Sequence, residues 1–125
     1  MPIMQLDHVS IRTPELDAMK DFFCDVLELA PGERPPFKFP GYWLYHDDKP
    51  IVHLIGTENA IDGDTGAVDH LAFAGDGARF EEIRDRLEAA GHAMRTQVVP
   101  GAGLRQIFVT GPLGVVVELN FPPAA

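Results

Sequence analysis

The sequence is poor in cysteine and in positive charge, and each shortage excludes a class of protein. Its single cysteine, Cys24, has no partner for an internal disulfide and no CxxC neighbour, so neither a disulfide framework nor a thiolate zinc site is expected. We expect Cys24 to be a buried, inert thiol on a helix. Ten Lys and Arg stand against 19 Asp and Glu, a net charge of −9. Nucleic-acid binding depends on cations that neutralise phosphates, so this balance argues against nucleic acid and anionic membranes as partners.

Long apolar runs are also missing. No stretch approaches the roughly 20 apolar residues of a membrane span. The opening "MPIMQLDH" lacks the basic and apolar segments of a signal peptide. We therefore expect a cytoplasmic protein, and its 125 residues suit one domain, 1–125.

The chain contains an internal repeat, which is indicated by the similar stretches "LDHVSI" and "VDHLAF". The first half reads as a strand, "MQLDHVSIR", then a helix, "TPELDAMKDFFCDVLEL", with Thr13 as N-cap and Pro14 at the first helical position. Three extended segments follow, near 37–39, 42–46 and 51–55.

The second half repeats this order. A strand, "AVDHLAFAG", precedes a helix, "ARFEEIRDRLEAAG", and extended segments near 92–98, 104–110 and 115–121. We predict an α+β fold of two tandem βαβββ modules, module 1 at about 1–56 and module 2 at about 67–125. The glycine-rich segment at about 57–66 suits a linker.

Four residues of metal-ligand type occupy mirrored positions in the two modules. His8 and His53 lie in the first and last strands of module 1, and His70 and Glu118 in those of module 2. Strand alternation puts both first-strand histidines opposite the apolar face that packs against the helix. In the apolar run "GVVVELNF", Glu118 needs a partner or a cation. His8, His70 and Glu118 form a two-His-one-carboxylate set, which leaves positions open on Fe(II) or a similar ion.

An aspartate precedes each first-strand histidine, at Asp7 and Asp69. By the same alternation, each aspartate points to the face opposite its histidine. We therefore do not expect either to be the hydrogen-bond partner of that histidine.

The stretches "LDHVSIRT", "DFFCDVLEL", "VDHLAF" and "QIFVTGPLGVVVELNF" resemble the vicinal oxygen chelate superfamily. This superfamily includes glyoxalase I, bleomycin-resistance proteins, fosfomycin-resistance enzymes and extradiol dioxygenases. The resemblance covers essentially the whole chain. It implies a curved mixed sheet around a metal-binding cup, usually in a homodimer. It also implies that His8, His70 and Glu118 hold one divalent metal (Fe2+, Mn2+, Ni2+, Co2+ or Zn2+), which chelates two adjacent oxygens of a small substrate.

His53 is where the resemblance leaves two functions open. Glyoxalase I has a glutamate at this place, and extradiol dioxygenases have an acid/base histidine in a similar strand. His53 is therefore expected to be either a fourth ligand or a catalytic acid/base. A packed strand histidine is the structural alternative.

The choice of reaction depends on two further positions. Extradiol dioxygenases carry a tyrosine ten positions before the final glutamate, where this chain has Phe108. This favours a glyoxalase-like lyase or isomerase over an extradiol-type Fe(II) dioxygenase. Fosfomycin-resistance chemistry is less favoured, because Arg105 is the only cation expected near the site.

Substrate contacts are expected from Trp43 and Tyr45, which share one face of "GYWLYH", and from Arg105 and Phe108. Trp43 suits core packing equally well. A bleomycin-resistance-like, metal-free protein that sequesters a ligand is the alternative from another class, and the acidic charge and aromatic residues would suit a cationic ligand. Two histidines and a glutamate in an apolar cup favour the enzyme.

Overall fold

The structure is a computed structural model that describes residues 4–124. The chain divides after Ile61 into two compact units, each of which carries one α-helix and one four-stranded mixed sheet. No helix in residues 4–124 is both long enough and apolar enough to cross a membrane.

The first unit follows the predicted order of elements. They are β1 (Val9–Thr13), α1 (Leu16–Leu27), β2 (Ala30–Gly32), β3 (Gly41–His46) and β4 (Lys49–Gly56). The sheet order is β1-β4-β3-β2, in which β1 runs parallel to β4 and the other pairs are antiparallel. The first and last strands of the module are therefore direct neighbours.

The second unit has the same topology. Its elements are β5 (Leu71–Ala74), a 3₁₀ turn (Gly77–Arg79), α2 (Phe80–Ala89), β6 (Ala93–Val98), β7 (Arg105–Thr110), a second 3₁₀ turn (Pro112–Gly114) and β8 (Val116–Phe121). The sheet order is β5-β8-β7-β6, with β5 parallel to β8. The prediction of an α+β fold built from two βαβββ modules is confirmed.

Each sheet buries one face. The core residues with at most 1% exposure are Met19, Phe23, Leu44, Val52 and Leu54 in the first unit, and Leu87, Ile107, Val109, Val117 and Phe121 in the second. Alternation along the strands puts the intervening residues on the other face. His53 and Trp43 are paired there in the first unit, and Glu118 and Phe108 in the second.

The first helix begins later than predicted. Thr13 ends β1, and its Oγ1 accepts a hydrogen bond from the Glu15 backbone N–H at 2.9 Å. Glu15 is the N-cap, since its carbonyl accepts from the Met19 N–H at 3.0 Å. The prediction of Thr13 as cap and Pro14 as first helical residue is wrong, because the hydroxyl closes the turn between strand and helix instead.

The predicted strand at 37–39 is also wrong, and β2 lies earlier, at Ala30–Gly32. Three prolines between residues 33 and 40 remove backbone donors that a strand would need. Arg34 organises this loop: its Nη2 donates to the Phe39 carbonyl at 2.8 Å. Its guanidinium also lies 5.1 Å from the Phe37 ring centre and 5.0 Å from that of Phe39.

Cys24 lies on α1, as predicted, but is half-buried rather than fully buried. Burial raises the pKa of its thiol. Because the thiolate is the reactive form, alkylation by iodoacetamide at pH 8 should be about tenfold slower in the folded than in the denatured protein. The folded protein should also need a higher pH to reach its maximal rate. Equal rates in the two states would contradict a shielded, protonated thiol.

Candidate functional site

His8 immediately precedes β1 and is held by its own neighbour. Its Nδ1 lies 2.6 Å from Oδ2 of Asp7. A carboxylate only accepts hydrogen bonds, so Nδ1 carries the hydrogen and Nε2 keeps a free lone pair in the neutral ring. The contact with His8 lowers the pKa of Asp7. An imidazole oriented in this way by a carboxylate is typical of a metal ligand.

His53 lies in β4, where its backbone pairs with Ser10 on one side and Trp43 on the other. Its ring is stacked on His8, with centroids 3.8 Å apart and an interplanar angle of 11°. Its other face stacks on Trp43 at 4.1 Å and 13°. The imidazole of His53 is thus stacked between the rings of His8 and Trp43.

The hydrogen bond of His53 fixes its tautomer. Nε2 lies 3.1 Å from the Pro50 carbonyl, which only accepts, so Nε2 donates and Nδ1 bears the lone pair. Burial lowers the pKa of His53, and the positive charge of a protonated His8 lowers it further. Both effects favour the neutral imidazole near pH 7.

His70 immediately precedes β5 and repeats the arrangement of His8. Its Nδ1 lies 2.7 Å from Oδ2 of Asp69, so Nε2 again bears the lone pair of the neutral ring. That Nε2 lies 3.2 Å from Oε1 of Glu118 on β8. A lone pair facing a carboxylate oxygen is a contact between two acceptors. It requires a positive charge, either a proton or a metal ion.

Glu118 is 7% exposed, and amide groups satisfy one of its two oxygens. Oε2 accepts hydrogen bonds from Asn120 Nδ2 and from Gln106 Nε2, the latter at 3.3 Å. Gln106 also donates to Asn120 Oδ1 at 2.9 Å and accepts from Gln97 Nε2 at 2.6 Å. Oε1, the oxygen that faces His70, receives neither amide. The amides therefore orient the carboxylate.

The prediction about the two aspartates is wrong, and the reason is local. Alternation applies to residues within a strand, but Asp7 and Asp69 lie before β1 and β5 begin. Outside the pleat each aspartate turns back onto its own histidine. Sequence reasoning also missed the amide support of Glu118 from Asn120. Its trace in the sequence is the alternation of Glu118 and Asn120 in "VELNF" on one face.

The expected substrate contacts separate into two groups. Trp43 stacks on His53, and the Phe108 ring lies 6.1 Å from that of His70 in an edge-to-face arrangement. The Tyr45 hydroxyl instead donates a hydrogen bond to the Glu33 carbonyl at 2.5 Å. Trp43 and Phe108 are thus the two that contact predicted site histidines.

Arg105 does not lie beside His70 and Glu118 as expected. It is on the face of β7 opposite Phe108, where its guanidinium donates to the carbonyls of Pro122 and Gly77 at 3.0 and 3.1 Å. It also lies over the Phe80 ring of α2 at 4.7 Å. The alternation of "RQIF" explains this, since Arg105 shares its side with buried Ile107.

A cavity of about 370 Å³ opens beside His70 in the second unit. Its lining includes Asp69, His70, Phe108, Thr110 and an arginine that sequence reasoning did not select, Arg95. Within residues 4–124, no three His, Cys, Asp or Glu side chains form a metal-binding group. Each unit instead pairs two of the four predicted residues.

The sequence profile of the Glyoxalase/Bleomycin resistance protein/Dioxygenase superfamily matches residues 5–119. The chain belongs to this superfamily. The resemblance inferred from the repeat is thereby confirmed. A search of curated proteins gave no match.

Solved structures of the superfamily share the fold. A glyoxalase/dioxygenase from Nostoc punctiforme is 19% identical, with a TM-score of 0.78 over 96% of this chain and 92% of its own. A mutant of the fosfomycin resistance protein FosX from Listeria monocytogenes, complexed with Mn(II) and 1S,2S-dihydroxypropylphosphonic acid, is 14% identical, with a TM-score of 0.77 over 97% and 94%. A domain from Frankia sp. EAN1pec is 18% identical, with a TM-score of 0.74 over 97% and 99%. At these identities the likeness shows the fold alone.

The donor atoms within each unit are of types that divalent metals accept. His8 and His70 each hold Nδ1 on an aspartate, which leaves the lone pair of the neutral ring on Nε2, and in the second unit Glu118 Oε1 faces His70 Nε2. Two imidazoles and a carboxylate suit Fe, Mn, Co, Ni or Zn ions.

The amide support of Glu118 makes a prediction about metal affinity. Asn120→Ala removes a donor to Oε2 and frees the carboxylate to rotate, so Mn(II) should bind about tenfold more weakly. Competition with a fluorescent chelator measures the dissociation constant. Asn59→Ala, which changes an exposed asparagine of the first unit, is the matched control and should bind like the wild type. An unchanged affinity in Asn120→Ala would show that the amide does not position the ligand.

Proposed function

We propose that this protein is a metal-dependent enzyme that acts on a small substrate with two adjacent oxygens, and that His8, His70 and Glu118 hold the metal. The contact between His70 Nε2 and Glu118 Oε1 carries the proposal. Asp69 accepts the hydrogen of His70 Nδ1, so in the neutral ring the 3.2 Å gap lies between two electron-pair donors. His8, oriented by Asp7 in the same way, supplies the third donor.

A divalent ion bound there would act as a Lewis acid on the two substrate oxygens. Fe2+, Mn2+, Ni2+, Co2+ and Zn2+ all accept this donor set. The Mn(II) in the FosX complex, whose ligand carries adjacent hydroxyls, supports both the ion class and the substrate class.

His53 is best suited to a proton-transfer role rather than to that of a fourth ligand. Ring lone pairs lie in the plane of the imidazole, and the planes of His53 and His8 are nearly parallel and stacked at 3.8 Å. The lone pairs of the two rings therefore lie in separate, nearly parallel planes and do not converge on one point. The Pro50 carbonyl holds the hydrogen on Nε2, so Nδ1 is the atom that accepts a proton.

Two aromatic rings would limit water around the reacting groups. Trp43 covers the face of His53 away from His8, and Phe108 presents an edge contact to His70. Neither carries a titratable group. In this arrangement His53 is the residue that exchanges protons, which suits the shift of a proton between adjacent carbons in a glyoxalase-like lyase or isomerase.

The proposal extends to assembly and location. The three ligands come from both units, either of one chain or of two copies, and we propose a homodimer in the cytoplasm. The four-residue set would then draw one pair from each module.

Metal content tests the proposal directly. After loading with Mn(II) or Zn(II) and desalting, elemental analysis should give about one metal per chain. His70→Ala should weaken binding by well over tenfold, whereas His53→Gln should stay within about threefold of the wild type. His46→Gln, at an exposed histidine at the end of β3, is the matched control. No bound metal in the wild type would sink the enzyme proposal and favour metal-free ligand sequestration of the bleomycin-resistance type.

Oxygen uptake separates the lyase or isomerase from the extradiol dioxygenase. We expect no uptake with catechol after anaerobic Fe(II) loading, because Phe108 offers no hydroxyl beside His70. An oxygen electrode measures this, and Phe108→Tyr is the informative variant. Turnover in the wild type would reverse the assignment to a lyase or isomerase.

A further inference from the structure

Arg95 is a cation without an anionic partner in the cavity beside His70. It lies on β6, in register with Phe108 of β7, which in turn is in register with Glu118 of β8. Strand alternation therefore puts Arg95 on the same sheet face as the predicted metal ligand. The same cavity is lined by His70.

The side chain of Arg95 is held by two contacts. Its guanidinium lies 4.1 Å from the centre of the Phe108 ring, a close cation–π contact. Its Nη1 donates to Gln97 Oε1 at 3.1 Å. These contacts fix the plane of the fork while leaving most of its N–H donors unused.

No carboxylate satisfies this cation. Among residues 4–124, Arg95 forms no ion pair. Asp69 lines the same cavity, but its Oδ2 is engaged by His70 Nδ1 at 2.7 Å. The side chain of Arg95 is exposed, so an anion that enters the cavity can reach its guanidinium.

The first unit has no equivalent of Arg95 at the matching position of its sheet. In the first unit the residue in register with Trp43 is Gly32, at the position that Arg95 holds relative to Phe108. A Cβ at Gly32 would lie 2.8 Å from the ring of Tyr45, so that position has no room for a side chain. The arginine therefore belongs to the second module alone, on the side where the cavity lies.

We propose that Arg95 binds the anionic group of the substrate, so that the substrate is a small vicinal-oxygen compound bearing a carboxylate or a phosphonate. The planar guanidinium can donate hydrogen bonds to two oxygens of such a group. Stacking on Phe108 orders the arginine side chain before the ligand binds. A cavity of about 370 Å³ is of a size that suits a small molecule. The proposal rests on the proposed function only in assigning the adjacent oxygens to the metal.

Three probe ligands that differ in one group test the proposal. They are 2,3-dihydroxypropanoate, its uncharged amide, and 1,2-dihydroxyethylphosphonate. Calorimetry with zinc-loaded protein should give at least one anion a dissociation constant about tenfold below that of the amide. Which anion binds more tightly identifies the carboxylate or the phosphonate as the group recognised.

The variants assign that preference to one side chain. Arg95→Gln should bring all three constants within about threefold of one another, and Arg95→Lys should keep part of the preference, since it retains charge but not the fork. Arg84→Gln, at an arginine of α2 that pairs with Asp85, is the matched control and should keep the full preference. A preference that survives in Arg95→Gln, or its absence from the wild type, overturns the proposal.

A second readout separates this proposal from that of the metal. The Arg95 Nε–H resonance should shift on addition of the anion, and not of the amide, in both zinc-loaded and metal-free protein. If zinc does not bind and the resonance still shifts, the enzyme proposal fails and the anion site stands. If zinc binds and the resonance does not shift, the anion site fails and the metal site stands.

Discussion

The parallel pairing of the first and last strands in each module is the constraint on which the candidate site depends. Ser10 pairs with His53 in the first unit, and Ala72 pairs with Glu118 in the second. A histidine two positions before each small residue therefore meets the side chain of the last strand. Parallel neighbours cannot be joined by a tight hairpin, so each module needs a crossover, which begins with its helix. The helix that makes the connection also covers the apolar face and leaves the polar face available.

The two modules repeat this geometry but support it with different chemistry. An imidazole can be held by rings on both faces, and His53 lies between His8 and Trp43. A carboxylate gains little from stacking, and burial of its charge requires N–H donors. The second module accordingly supplies amides from Gln106 and Asn120 where the first supplies aromatic surface. One scaffold thus presents a stacked imidazole in one copy and an amide-supported carboxylate in the other.

The sequence predicts the parts of this arrangement that depend on the alternation of residues along strands and on the internal repeat. The βαβββ order and the faces of the strands follow from alternation and from the repeat, and the repeat also gives the mirrored positions of His8, His53, His70 and Glu118. The predictions were wrong outside the regular strands, where side chains no longer alternate between faces. Asp69 lies two residues before its strand and folds back onto His70, and the proline-rich loop at 33–40 replaces an expected strand.

Long-range register is the other limit. The neighbour of Phe108 on the adjoining strand is Arg95, and that pairing is set by the length of the β6–β7 connection rather than by any local pattern. Without it, Arg105 is the natural choice because it is only three residues away in the sequence. The alternation of "RQIF" nevertheless sends Arg105 to the helix side, where it binds two backbone carbonyls. Whether a charged residue lies near a site is therefore better predicted from the face of the strand that it occupies than from its distance in the sequence.

The second unit sets an imidazole nitrogen against an oxygen of a carboxylate that is 7% exposed. Asp69 on the other side of His70 is exposed, so water screens its charge, whereas the charge of Glu118 needs a partner within the protein. A positive charge between Nε2 and Oε1, whether a proton or a metal ion, satisfies this contact. The amides on Oε2 cannot do this, because they compensate the other oxygen and carry no net charge.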